Sequence, residues 1–385
     1  MANVEKLLHW GSAGVDLIAK LEPRPDERAQ LSEAKLKIRN RLRERVEAFT
    51  KTVLGTAIPP RFFTQGSDAY KMLNRPAHMP PQQMDFDDGM YLPLSFLKEE
   101  SRPSIASDRL FAVVDATLQE LADEEGWTFD DSKPTCARLM ISEHSHVDVP
   151  LYSIPDEEFA TMRKAILARE ASFADSAIYG FAQDQDVDVW EELPTEHVLL
   201  AHRDEGWKRS DPRKISNWVK DCIDLYGEQF RRMCRYLKAW RDFHKQSNVC
   251  SLLLMVCVFE VYEELGRKMP DRDDRALAKI AERLPDLLTN LIYNPTDPDE
   301  KLCARLTDED RQAAVAKAHE LAAQIGSIVD HCYNPELAIR ELKHAFGPRI
   351  ADRPDLVVIE RAAETVYAKP REHVVAPAVG RSISG

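Results

Sequence analysis

The sequence predicts an α+β fold built as two lobes with a central cleft. Length is the first reason: 385 residues are enough to bury two hydrophobic cores. Local pattern is the second, since helical spacing and strand-like alternation are mixed along the first half of the chain. The third is the change near Asp211, after which the pattern is almost wholly helical and two separate layers of packing follow. The expected divisions are a core lobe over 1–205, which includes a long N-terminal helix, a helical lobe over 206–369, and a flexible tail over 370–385.

The first element is a helix between Asp26 and Leu54. Leu31, Ala34, Ile38, Leu42, Val46, Phe49 and Val53 recur at steps of three and four, and Pro23 and Gly55 punctuate its ends. Its outer face carries Lys35, Lys37, Arg39, Arg41, Arg43 and Arg45, which reads first as a solvated charged face. A turn-rich stretch from Pro59 to Pro93 holds a short strand around Asp85. Ser107-Asp108 are expected to cap a helix through Glu125. A β-hairpin is expected from Cys136 to Ile141 and from His146 to Tyr152, turning near Glu143-His144-Ser145. Helical spacing then runs over Ile215–Lys245, Val249–Leu265, Asp274–Ile292 and Asp308–His331.

Composition narrows the function. Apolar residues make up 44% and charged residues 30%, as in ordinary soluble proteins. The 52 cations against 65 anions give −13, which disfavours bulk binding to nucleic acid but leaves room for a nucleotide substrate. The seven cysteines form no CxxC pair and read as core filler in a reducing compartment. The N-terminus lacks the pattern of a signal peptide. The longest apolar run, Val249 to Phe259, is too short to span a bilayer. A cytoplasmic protein without a membrane segment is expected.

The chemistry is carried by Gln65-Gly66-Ser67 and, after seventeen residues, Asp85-Phe86-Asp87. Alternation in a strand puts Asp85 and Asp87 on one face and Phe86 on the other. Two such carboxylates repel unless a cation lies between them, and Mg²⁺ suits oxygen ligands beside a phosphate. Gly66 before Ser67 lets backbone N–H groups and a hydroxyl approach a phosphate. Either motif alone is common, and the pair gains weight from a third acid, Asp148, in a hairpin strand able to face the first. Three acids of this kind hold two magnesium ions, for which Mn²⁺ can substitute. A rival set, His144, His146 and Asp148 at period two, suits a transition metal but places His144 in the turn. On the helical side, Arg231, Arg235 and Lys238 stack at i, i+4 and i+7 beside an apolar stripe. That face reads either as basic helix surface or as a triphosphate clamp centred on Lys238. Ser251 interrupts the next apolar helix and serves either as a capping serine or as a phosphate contact.

The stretches TQGSDAYKMLNRP (64–76), PPQQMDFDDGMYLPL (80–94), TCARLMISEHSHVDVPLYSIP (135–155), WKRSDP (207–212) and FRRMCRYLKAWRD (230–242) together resemble the bacterial cGAS/DncV-like nucleotidyltransferases, over nearly the whole chain. The resemblance implies a polymerase-beta-type nucleotidyltransferase core with a helical lobe, and synthesis of a cyclic oligonucleotide from ATP and GTP. It implies a metal triad of Asp85, Asp87 and Asp148 and a phosphate-binding turn with Gln65 and Ser67. Base contacts are implied at Tyr70 and Arg138, a nucleotide-contacting turn at Ser210 and Asp211, and triphosphate contacts at Lys238 and Ser251. The hairpin before Asp148 is one residue shorter than in the family pattern, and the segment after Asn294 follows the family only loosely.

The product expected is 3′3′-linked cyclic GMP-AMP, an antiphage signal read by a downstream effector. A C-terminal glycine lacks a Cβ and can enter a narrow channel; by resemblance, Gly385 is the attachment point for a ubiquitin-transferase-like partner. The alternatives are another cyclic di- or trinucleotide, nucleotide addition to RNA, or a regulator that binds nucleotide without turnover.

Overall fold

The computed structural model describes residues 1–11, 14–93, 103–157, 159–160, 198–304 and 306–360. The α+β class is borne out. A short strand β1 (Ala2–Asn3) precedes the main sheet, which is formed by β2 (Arg61–Gln65), β3 (Met84–Pro93), β4 (Thr128–Asp130), β5 (Cys136–Ser142), β6 (Ser145–Ile154), β7 (Leu199–His202) and β8 (Gly206–Arg209). Its order is β2-β3-β6-β5-β4, with β7 pairing to the far half of β6 and β8 to β7. All neighbours are antiparallel except β3 and β6, which run parallel.

The helix Pro25–Leu54 and the helix Pro103–Glu125 cover one face of this sheet. Leu31, Ala34, Ile38, Leu42 and Val46 meet Phe86, Leu118, Val147 and Val149 in one buried cluster, each large side chain contributing about 1.5–3 kcal/mol. The basic run on the first helix is largely spent on its neighbours: Lys37 reaches Glu125 at 2.7 Å, Arg41 pairs with Glu124 and Arg45 with Glu120. Arg39 turns inward and grips Asp88 through two bonds of 2.6 and 2.7 Å. The second helix starts at Pro103, so Ser107 lies inside it rather than at its cap. Its hydroxyl instead donates to His202 O, tying helix to β7.

Beyond β8, the expected Ile215–Lys245 helix is two helices, Pro212–Tyr226 and Glu228–Phe243. Gly227 separates them at φ 78° and ψ −175°, a conformation unfavourable to residues with a Cβ. With Ser251–Leu265, Asp273–Thr289, Asp308–His331 and Pro335–Phe346 they enclose a second core around Trp240, Leu254, Ile280 and Leu321. Leu7, Leu8, Leu17 and Leu21 from the chain start pack into this core, and β1 pairs with β11 (Val358–Ile359). The helix Asp273–Thr289 is followed by a separate hairpin of β9 (Tyr293–Asn294) and β10 (Asp297–Lys301). Among the described residues, no helix is long and apolar enough to cross a membrane.

Candidate active site

β3 is a ten-residue strand, longer than its sequence suggested, and its parallel pairing with β6 aligns Asp85 with His146 and Asp87 with Asp148. Alternation explains the local sequence Asp85-Phe86-Asp87-Asp88. Phe86 joins the core and Asp88 is neutralised on that side by Arg39, so Asp85 and Asp87 belong to the opposite face. Gly66 follows β2 at φ +63°, and a Cβ there would lie 2.0 Å from Asp87 Oδ2. Only glycine lets the turn come this close to the carboxylate.

Charge is concentrated here. Burial, then the charges of Asp85 and Asp148, push the Asp87 carboxyl up to about 8. For Asp85, at the mouth of the cleft, the surrounding protein raises the value. The hydrogen bond and charge of His146, whose Nε2 lies 2.9 Å from Oδ1, and then Arg138 hold it below the ordinary range. Asp148 is gripped by Arg138 through bonds of 2.5 and 2.7 Å. Burial and the charge of Asp87 push the Tyr70 hydroxyl up. A carboxylate that prefers to keep its proton beside two others is a site that a hard dication stabilises.

A cavity of about 480 Å³ opens beside these acids, with Ser67, Asp85, Arg138, Lys238, Arg241 and Ser251 on its wall. The helix Glu228–Phe243 supplies two of the cations on this wall, Lys238 and Arg241. Lys238 is buried, donates to Met72 O at 2.7 Å, and is pulled down to about 8 by burial and then by Arg241. Arg241 donates to Ser251 Oγ at 2.9 Å. The segment Met72–Gln82 runs along this helix, Gln82 donating to Asp242 O, so both lobes line one cleft.

Residues 60–152 match the family described as Cyclic GMP-AMP synthase DncV-like, nucleotidyltransferase domain, and residues 227–359 match Cyclic GMP-AMP synthase, C-terminal domain. The chain is 33% identical over 323 residues to Cyclic GMP-AMP synthase of Vibrio cholerae serotype O1, spanning 81% of this chain and 72% of that one. The chain belongs to the DncV-like cyclic GMP-AMP synthase family. An Escherichia coli protein of the same description is 31% identical over 350 residues, covering 89% of this chain and 77% of the relative. The solved structure of Vibrio cholerae DncV with the linear intermediate 5′ pppA(3′,5′)pG superimposes with a TM-score of 0.74 at 27% identity, covering 94% and 99% of the two chains. The complex of that protein with GTP and 5MTHFGLU2 gives 0.76 at 27% identity over 94% and 100%.

This DncV-like enzyme is a nucleotidyltransferase, and its carboxylate donors suit a divalent metal. Not every residue expected from the sequence faces the cavity described above. The Gln65 side chain is turned into the core, donating to Tyr91 and accepting from Tyr152. Arg235 is buried and is absorbed by Asn74, Leu73 O and Glu22, while Arg231 pairs with Glu228. Ser210 and Asp211 line another opening of about 560 Å³, beside Lys214 and the β9–β10 hairpin. There Asp211 caps the helix Pro212–Tyr226 and binds Arg213. Gly385 lies outside the described residues. His144 occupies the hairpin turn, so the rival His144–His146–Asp148 metal set does not form; the close group is Asp85, His146 and Asp148. Sequence reading missed Arg241, Lys133 and Gln83 on the cavity wall. Arg241 could have been found as the i+3 neighbour of Lys238.

Proposed function

We propose that this enzyme joins ATP and GTP into a cyclic dinucleotide, 3′3′-linked cyclic GMP-AMP, in a cleft that positions an attacking 3′-hydroxyl against a triphosphate. The observation that carries the reading is the β3–β6 register, which sets Asp87 opposite Asp148 and Asp85 opposite His146, across a cavity from Lys238, Arg241 and Ser251. Asp85, Asp87 and Asp148 would hold Mg²⁺, or Mn²⁺ in its place. Two bound ions would supply charge neutralisation and a more acidic hydroxyl. Ser67, Lys238 and Ser251, with Arg241, bind and orient the triphosphate. Asp148 orients the 3′-hydroxyl and favours loss of its proton once Arg138 turns to the substrate. Tyr70 and Arg138 border the base, and Ser210 and Asp211 serve the second opening. Rate enhancement comes from positioning and from fixed charge around the transferred group.

The names and bound nucleotides of the relatives support the product class. For the biological setting we propose a cytoplasmic antiphage signal sensed by a cyclic-nucleotide effector, with conjugation of Gly385 by a ubiquitin-transferase-like partner, as the family resemblance of the motifs implies. The deciding experiment incubates the full chain with all four nucleoside triphosphates and Mg²⁺, removes free phosphates and identifies the resistant product by mass and nuclease sensitivity. Asp85→Ala with Asp87→Ala is expected to abolish product while the circular dichroism spectrum is unchanged. Product from that folded double variant would sink the assignment.

A further inference from the structure

His146 is buried, with 6% of its surface exposed, and its ring is oriented from behind. Gln83 Nε2 lies 3.3 Å from Ser142 O and 3.4 Å from Glu143 O, which turns the amide oxygen toward the imidazole. That oxygen is 2.9 Å from His146 Nδ1. A carboxamide oxygen only accepts, so the hydrogen belongs on Nδ1. The opposite nitrogen, Nε2, is fully buried. It points into the acid cluster, 2.9 Å from Asp85 Oδ1 and 3.9 Å from Asp148 Oδ1. Nε2 and two carboxylate oxygens sit together stably only with a cation among the three, a proton in the metal-free chain or a metal ion in its place.

We propose that His146 Nε2 is a direct ligand of the divalent cation held by Asp85 and Asp148, making this centre a mixed nitrogen–oxygen site; the proposal rests on the metal reading given above. The two Nε2 spacings, 2.9 and 3.9 Å, suit one ion, and one ligand atom from each of Asp85, His146 and Asp148 lies within 4.8 Å of the others. A six-coordinate ion with bonds of ~2.1 Å separates adjacent donors by roughly 3 Å and opposite donors by roughly 4 Å. Gln83 is then the outer partner that fixes ring tautomer and direction, as metal-bound histidines ordinarily require. A nitrogen donor adds more to the binding of Mn²⁺ than to that of Mg²⁺, which prefers oxygen. The centre therefore gains its Mn²⁺ tolerance from His146.

The test uses the full chain with Mn²⁺ as the probe, alone and with a non-hydrolysable nucleoside triphosphate. Pulsed paramagnetic resonance reads nitrogen coupled to the bound ion. The expected spectrum shows a nitrogen coupling that changes when histidine is labelled with ¹⁵N and vanishes in His146→Gln. That variant is expected to lose more Mn²⁺ affinity than the about 10–100-fold that removing an outer partner costs, with a smaller loss for Mg²⁺ in competition. Gln83→Ala keeps the imidazole and is expected to retain the coupling with weaker Mn²⁺ binding; it carries the test if His146→Gln does not fold. Bound Mn²⁺ without a histidine coupling overturns the proposal and leaves the carboxylate centre standing. A coupling that persists in His146→Gln comes from another histidine and overturns it as well. Failure of the wild-type chain to bind Mn²⁺ in either condition overturns both the carboxylate centre and its fourth member.

Discussion

At the scale of single residues, the site is a set of charges held where water is scarce. Lys238 illustrates the cost. Its ammonium titrates near 8 in the folded chain against 10.5 unperturbed, so between these values the unfolded chain holds more protons and stability rises with pH. Below pH 8 the whole penalty is present, about 3 kcal/mol for a shift of this size, larger than the ~1 kcal/mol net worth of its bond to Met72 O. Lys238→Met is therefore expected to melt higher than wild type at pH 7, with the advantage shrinking from pH 8 to 10.5. Its KM for nucleoside triphosphate should rise about 10–100-fold, the equivalent of one charge-assisted contact. A variant that melts lower at pH 7 would show that the hydrogen bond outweighs the buried charge. Alternation alone made Asp85 and Asp87 legible. The inward turn of Asp88 was not, because its partner Arg39 lies forty-nine residues earlier on another element.

At the scale of elements, the turn from β2 into the short helix Gly66–Ala69 is coupled to β3 by steric contact. A methyl group at Gly66 would meet Asp87 Oδ2 at 2.0 Å on a backbone with φ +63°, so either the turn or the carboxylate must move. Gly66→Ala is expected to lower kcat at least 100-fold, since a misplacement of about 1 Å at a reacting centre costs that much, and to melt a few degrees lower. Thermal melting and product assay on the same preparation check both. Unchanged kcat would mean that Asp87 can yield without consequence. The hairpin Cys136–Ser142 with Ser145–Ile154 was readable from alternation and its polar turn. The parallel β3–β6 register was not, because no local signal chooses a strand partner some sixty residues away. Gly227 hid a break inside a continuous apolar stripe. The β10 strand, Asp297–Lys301, is exposed throughout, so no burial period marked it.

At the scale of the whole molecule, the start of the described chain is built into the helical core far from it in sequence. Val4 N donates to Asp274 at 2.8 Å and Glu5 accepts from Asp273 N at 2.5 Å. Arg232 and Tyr236 hold Asp273, while Arg272 joins Asp274 to Glu360. Burial first, and then the charges of Asp273 and Asp274, raise the Glu5 carboxyl from 4.5 to about 7. The folded chain thus holds the extra proton between pH 4.5 and 7, and this group's contribution to stability falls as pH rises through that window. Above pH 7 the charged carboxylate carries its full penalty. Glu5→Gln keeps a carbonyl oxygen for Asp273 N and removes the charge. Its melting temperature should exceed that of wild type at pH 8 and converge with it near pH 4.5. Because all other titrating groups are shared, the difference between the two curves isolates Glu5. Parallel curves across the range would show that Arg232 and Arg272 already neutralise the cluster, and that the charge of Glu5 carries no penalty where the chain start docks.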